Sequence, residues 1–402
     1  MLNSKSEREL CYVVTIDELR PIEGYDRVEH ARIGGWWVIV RKDQFKVGDP
    51  AIYFEIDSRV PATEPFAFME KRGYKVKTLK MCKVLSQGLL MSAEDFGWQV
   101  AGEGIIDNNG VGHRVDDESR FLTKELGVIY ADAEDNKRKA ASVDKYKKMA
   151  ARHSKIFKQA WARWLMQREW GKRLLFVFFG KKRDKKGGWP DWVTKTDEER
   201  VQNMPWIVND KTPWVATEKI DGTSTTFTML RKHTVFGYKY EFYVCSRNVC
   251  FDSVEKPCYY DTNVYWEMAK KYDMYNVLHT ILEQHPHWYF VTVQGETYGA
   301  GIQKRDYSLK EHEFAAFNFI TSDVGRWPTW EMKSMLEAYG VPCVPVLSLK
   351  YVLPDTVDEL LIAADGNSEI DGKPREGIVF RSQDGAQSFK AVSNSFLMKY
   401  HG

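Results

Sequence analysis

Lys219 stands in the string TEKIDGTST, where Lys-x-Asp-Gly at residues 219 to 222 sets an amine beside a carboxylate in a tight turn. An unprotonated lysine amine is a nucleophile, and a nucleotide α-phosphate is a fitting target once a cation neutralises its oxygens. Acids must hold that cation, and candidates follow along the chain. Asp221 is two residues away, Glu296 ends a strand in VQGETYG, and Glu376 opens the strand EGIVF. Three carboxylates at strand ends can bind Mg2+ or Mn2+, directly or through its water shell. A cation near Lys219 would also depress the lysine pKa by like-charge repulsion. Lys390 in SFKAVS lies 14 residues beyond Glu376, so an adjacent strand can bring it to the phosphate. Arg247 in VCSRN follows the strand after the nucleophile turn, and Phe317 in FAAFNF offers a flat apolar surface for a purine. Singly, each has a plainer reading: a solvated Glu, a surface Arg, a core Phe. Their order and spacing carry the argument.

These residues need a scaffold, and the chain has the material for one. With 402 residues, 43% hydrophobic and 14% aromatic, it can bury two or three domain cores. The first ten residues, MLNSKSEREL, lack an apolar core, and the longest apolar run, LLFVFF at 174 to 179, is too short to span a bilayer. The expectation is a cytoplasmic protein with no membrane partner. Six dispersed cysteines do not make a disulfide scaffold; Cys245, Cys250 and Cys258 could be three metal ligands, but nothing completes a tetrahedral set.

Three regions emerge. Residues 1 to 130 read as a small β-barrel: DRVEHARI and WWVIVRK flank a Gly34-Gly35 turn, AIYFEID follows, and YKVKTLKMCKVL and GLLMS come later, with Lys75 and Lys77 alternating on one face. Residues 131 to 190 form a basic helical linker or insertion. Between Lys137 and Lys186 the local net charge is +15, against +2 for the whole chain, which makes this block a candidate polyanion contact. Residues 191 to 402 alternate strand and helix patterns. STTFTML and YEFYVCS read as paired strands, and DTNVYWEMAKKYDMYNVLHTILEQ reads as one long helix opened by Asp261 or Thr262. The fold class is α+β.

The series EKIDG, SRN, GETYG, FAAFNF, EGIVF and SFKAVSNSFLMK resembles, in order, nucleotidyltransferase motifs I, Ia, III, IIIa, IV and V of the covalent lysyl-nucleotide superfamily. Polynucleotide ligases and mRNA capping enzymes share that superfamily. GGWWVIVRKDQFKVGDPAIYFEID, ELGVIYADAED and the lead-in TDEERVQNMP further resemble the RNA ligases that carry an amino-terminal OB module. The resemblance implies an OB-like β-barrel followed by an ATP-grasp-like nucleotidyltransferase domain with antiparallel sheets. It implies an ATP-dependent RNA ligase that joins a 3′-OH end to a 5′-phosphate end through lysyl-AMP and RNA-adenylate, acting as a monomer on RNA ends or nicked duplexes (RNA or RNA/DNA).

Carried over by residue, the resemblance makes Lys219 the nucleophile, with Lys390 and Glu376 also catalytic. ATP would meet Glu218, Lys219, Arg247, Glu296, Phe317 and Lys390, and Asp221, Glu296 and Glu376 would hold hydrated Mg2+ or Mn2+. One position departs from the pattern: many RNA ligases have Lys-x-Lys in motif V, where this chain has Lys390-Ala391-Val392, and Lys399 is too distant to be assumed a replacement. Two other readings compete. A capping-type guanylyltransferase would carry a domain after motif V, where only 12 residues follow Lys390. A decayed nucleic-acid-binding protein has no reason to keep every charged group.

Overall fold

A computed structural model describes residues 1, 3–4, 7–131, 159, 165, 189–195, 197–235, 237–251, 253–256, 258–260 and 262–401. The basic block between Lys137 and Lys186 lies outside the described residues, save Gln159 and Leu165.

The amino-terminal region is built from short antiparallel strands. In strand Trp36–Arg41, Trp36, Val38 and Val40 are buried while their neighbours are not, the period-two signature of a sheet with one wet face. It pairs with Tyr25–Ile33 through the expected Gly34-Gly35 turn, where Gly34 takes φ +55°. Gly35 is required for a second reason: a Cβ there would stand 2.6 Å from Gln202 Cα, so the hairpin can press on the rest of the molecule only without a side chain. Strand Pro50–Phe54 is buried throughout, between Cys11–Thr15 and Leu89–Met91.

One expected strand is different in the structure. Thr78–Met81 and Val84–Gln87 form a hairpin, because Cys82 and Lys83 both adopt positive φ, 55° and 64°. Lys75 and Lys77 precede it outside any strand, so they do not alternate on a sheet face.

The carboxyl-terminal region has two sheets. The first contains Val346–Tyr351, Trp214–Lys219, Gly377–Ser382, Ser388–Val392 and Glu199–Arg200, antiparallel except for the last pair. Helix Val357–Ala364 covers it, with Leu360 and Leu361 in a core that includes Ala216, Phe380 and Phe389. The second sheet is six-stranded and centres on Thr223–Thr234, paired on either side with Gly237–Ser246 and Phe290–Gly299, with His312–Thr321 beyond. Thr223–Thr234 and Gly237–Ser246 are the pair anticipated from the sequence.

The expected single long helix is two, Val264–Lys271 and Met274–Gln284, packed on the second sheet. Asp273 breaks the run with left-handed φ 47° and ψ 41°. The cap is Asn263, whose side chain accepts the Trp266 amide at 3.3 Å, rather than Asp261 or Thr262. Among the described residues no helix is long and apolar enough to cross a membrane. The fold is α+β with mostly antiparallel sheets.

Candidate active site

The strand Trp214–Lys219 lies in the first sheet and Thr223–Thr234 in the second, so Ile220, Asp221 and Gly222 carry the chain across between them. Gly222 sits where a Cβ would meet Thr297 O at 2.4 Å, which is why the crossing can be this tight. The two sheets face each other over a cavity of about 1100 Å3. Its lining includes Glu218, Lys219, Asp221, Arg247, Glu296, Phe317, Glu376 and Lys390, every site residue anticipated above.

Register delivers them. Lys219 pairs with Gly377, Thr217 with Val379, and Val379 with Lys390. Directly opposed residues share a face, as do residues two apart, so Lys219 and Lys390 point from one side of the sheet. Glu376 precedes Gly377 and reaches the nucleophile: Lys219 Nζ donates to both Glu376 oxygens at 2.7 Å. Glu296 comes from the second sheet, opposite Ser224. It lies within its strand, which runs on to Gly299, rather than at the strand's end. Phe317 owes its position to a bulge. Gln294 pairs with Asn318 and Gly295 with Ala316, leaving Phe317 as the extra residue, and such bulges re-aim side chains at functional sites.

Crowded acids dominate the electrostatics. Burial and the Glu376 charge push Asp221 up to about 7. Burial, opposed by Lys219 and reinforced by Glu376 and Asp221, pushes Glu296 up to about 8. Asp221 Oδ2 is buried without a hydrogen-bond partner, while the Asp221 amide donates to Tyr307 Oη at 2.6 Å. An all-oxygen set of under-neutralised carboxylates suits a hard divalent cation. For Lys219 burial works downward, but Glu376, Glu296 and Asp221 outweigh it and the lysine pKa is raised. The expected depression therefore requires these acids to be neutralised first. Lys390 goes the other way: burial lowers it to about 8 against the pull of Asp197.

Asp197 is the residue that sequence reasoning missed. It lies in the lead-in segment and meets Lys390 Nζ at 3.4 Å, Arg247 Nη2 at 2.8 Å and Arg8 Nη1 at 3.1 Å. Burial opposes its charge, yet these three cations prevail and lower its pKa. Arg8 also reaches Glu55 at 3.4 Å, and Asn203 donates to Glu55 Oε1 at 3.0 Å, so the amino-terminal barrel is wired to the cavity rim. No local motif marks an Asp that pairs with cations 50 and 193 residues away.

Glu218 is buried; its Oε2 accepts the Glu369 amide at 2.8 Å and its Oε1 has no partner. Val392, at the position of the second motif V lysine, is buried with Leu397 against Leu85 of the barrel. An apolar contact between domains thus occupies that position, and Lys399 is not among the cavity residues. The three thiols once weighed as metal ligands do not gather: Cys245 and Cys250 face each other across a strand pair, and Cys258 Sγ contacts Thr262 O at 3.1 Å.

Residues 212–401 match the family model described as RNA ligase, and residues 10–93 match an OB-fold domain model. The carboxyl-terminal domain belongs to the RNA ligase family. The barrel ahead of it is an OB-fold. Solved structures of Naegleria gruberi RNA ligase resemble the RNA ligase domain and the OB-fold together. A mutant with ATP and Mn is 26% identical at TM-score 0.68, covering 98% of this chain and 99% of that one. A mutant with AMP and Mn is 25% identical at TM-score 0.68, with 98% and 99% covered. The same ligase with pyrophosphate is 24% identical at TM-score 0.68, again with 98% and 99% covered. No curated protein matches the chain.

Proposed function

We propose that this chain is an ATP-dependent RNA ligase that joins a 3′-OH end to a 5′-phosphate end, sealing nicks in duplexes as an RNA repair enzyme. The observation that carries the reading is the Lys219 amine held 2.7 Å from both Glu376 oxygens, in a cavity that also presents Asp221, Glu296, Arg247, Phe317 and Lys390. The similarity to a ligase solved with ATP, AMP and Mn supports ATP as the nucleotide and Mn2+ or Mg2+ as the cation.

In the first step Lys219 Nζ gives its proton to Glu376 and attacks the α-phosphorus of ATP. A P–N bond forms, the bond to the bridging oxygen breaks, and pyrophosphate leaves with the electron pair. Lys390 stabilises charge developing on the α-phosphate, and Phe317 stacks on adenine. Glu218, adjacent to the nucleophile in the cavity lining, contributes to the ATP site. Asp221, Glu296 and Glu376 would hold a hydrated divalent ion, which would supply positive charge beside the phosphate oxygens and offset the acidic charge that keeps the proton on Lys219. In the second step an RNA 5′-phosphate oxygen attacks the lysyl-AMP phosphorus, the P–N bond breaks, and the amine recovers a proton. In the third a 3′-hydroxyl attacks the 5′-phosphate, a phosphodiester forms, and AMP leaves.

The test pairs α-labelled ATP with nicked duplexes in which RNA and DNA are varied on each strand. Lys219→Ala should end label transfer to protein, since among the described residues no other lysine amine pairs with Glu376. Labelling retained in that variant, or sealing indifferent to RNA at the 3′-OH side, would sink the reading.

A further inference from the structure

The amino-terminal region, past the residues that match the OB-fold, holds a second group of metal-ligand side chains outside the cavity: Asp107, His113 and Glu125 offer ligand atoms that all lie within 4.8 Å of one another. Asp107 opens the turn after strand Gly104–Ile106, His113 is central in Gly112–Arg114, and Glu125 lies in the segment leading to Ile129–Tyr130. His113 carries the argument. Its side chain is 5% exposed, and its Nδ1 stands 2.8 Å from the Ser119 carbonyl, which can only accept. Nδ1 therefore bears the hydrogen, and Nε2 of the neutral ring is a bare lone pair. That Nε2 is buried with no hydrogen-bond partner, 3.7 Å from Asp107 Oδ2 and 3.8 Å from Glu125 Oε2.

Asp107 and Glu125 also hydrogen-bond each other, and burial together with that contact raises the Glu125 carboxyl, so two acids and a ring nitrogen are crowded where a cation would satisfy all three. Asp107 is also pre-set: its Oδ1 accepts the Asn109 and Val111 amides at 2.8 Å, which leaves Oδ2 toward the histidine. The Trp98 ring stacks on His113 at 5.7 Å and 18° and closes one side.

We propose that Asp107, His113 and Glu125 form a zinc-class site with one imidazole nitrogen, two carboxylate oxygens and a fourth position taken by water. One nitrogen and two oxygens at the usual bond lengths stand about 3.3 Å apart around tetrahedral zinc, so a small inward turn of the half-exposed Glu125 completes the set. A backbone carbonyl that fixes the tautomer of a ligating histidine is the expected support for such a site. The ion would tie the Asp107 turn and the His113 strand to the segment in which Thr123 Oγ1 accepts the Leu10 and Cys11 amides, at 2.8 and 3.1 Å. It would thereby brace the barrel where its first strand begins.

The experiment strips the full-length protein with EDTA, reloads it with zinc, and measures zinc per chain by mass spectrometry, with Co2+ absorption as a second readout. Wild type, Glu376→Ala, His113→Ala and Glu125→Gln are compared. We expect Glu376→Ala to keep one tightly held zinc, and His113→Ala and Glu125→Gln each to lose it or bind it at least ~10-fold more weakly. Should His113→Ala fail to fold, Glu125→Gln decides, because its side chain is partly exposed. Zinc content unchanged in Glu125→Gln, or wild type holding no zinc beyond that lost in Glu376→Ala, overturns the proposal and leaves a protonated histidine between two acids.

Discussion

Replacing Glu296 with Gln should stabilise the metal-free protein while disabling it. Burial keeps the proton on Glu296 from its ordinary 4.5 up to about 8. Between those limits the folded state binds a proton that the unfolded chain has released, so stability falls as pH rises from about 4.5 to about 8 and levels off beyond. At pH 7 the full effect is about 3.4 kcal/mol, and sharing of protons with Asp221 and Glu376 reduces it to about 2 kcal/mol. Glutamine keeps the shape and carries no charge, so Glu296→Gln removes this loss. Thermal melts in EDTA at pH 5 and pH 8 measure it. Wild type should melt lower at pH 8, whereas Glu296→Gln should change less and exceed wild type at pH 8 by roughly 4–8 °C. Mn2+ should raise the wild-type midpoint at pH 8 and do less for the variant, and adenylylation should drop. A wild-type stability that is flat or rising between these pH values, with no gain in Glu296→Gln, would refute the account of crowded carboxylates.

Lys390→Ala should slow lysine adenylylation by about 100-fold or more with little change in ATP binding, since its charge acts on the reacting phosphate; a purely raised KM would contradict that role. Phe317→Ala should weaken ATP by about 1–3 kcal/mol, roughly 5- to 150-fold in KM, and an unchanged KM would remove Phe317 from the purine site. Gly377→Ala places a Cβ 2.2 Å from Ala391 O, between the strands that carry Glu376 and Lys390. It should destabilise the domain by about 2–3 kcal/mol, measured by urea unfolding, and wild-type stability would show that the sheet relaxes freely.

Much of the cavity was legible along the chain because its chemistry is written in short strings. A lysine amine, a carboxylate two residues on and a glycine that permits the crossing form one local unit, Lys219 to Gly222. The apolar run WWVIVRK revealed a strand, and Gly34-Gly35 its turn, because both are set by neighbours in sequence, whereas the burial of only one of its faces was decided by the fold. The helix break at Asp273 was not legible: nothing in the apolar spacing forbids a continuous helix, and a left-handed residue there is chosen by how the two helices pack on the sheet.

What the tertiary structure alone decided is which distant charges share a space. Asp197, Lys390, Arg247 and Arg8 come from four separate stretches: pairing of Glu199–Arg200 with Ser388–Val392 brings Asp197 beside Lys390, Arg247 joins them from the other sheet, and only Arg8 is added by the packing of the amino-terminal region. The same holds for Val392, whose apolar side chain is explained by Leu85, more than 300 residues earlier. Protonation was likewise beyond the sequence, because burial and neighbouring charge, not residue type, raise Glu296 and lower Lys390. Residue identity determined which groups could react; the packing of two sheets and a barrel determined their charge and their partners.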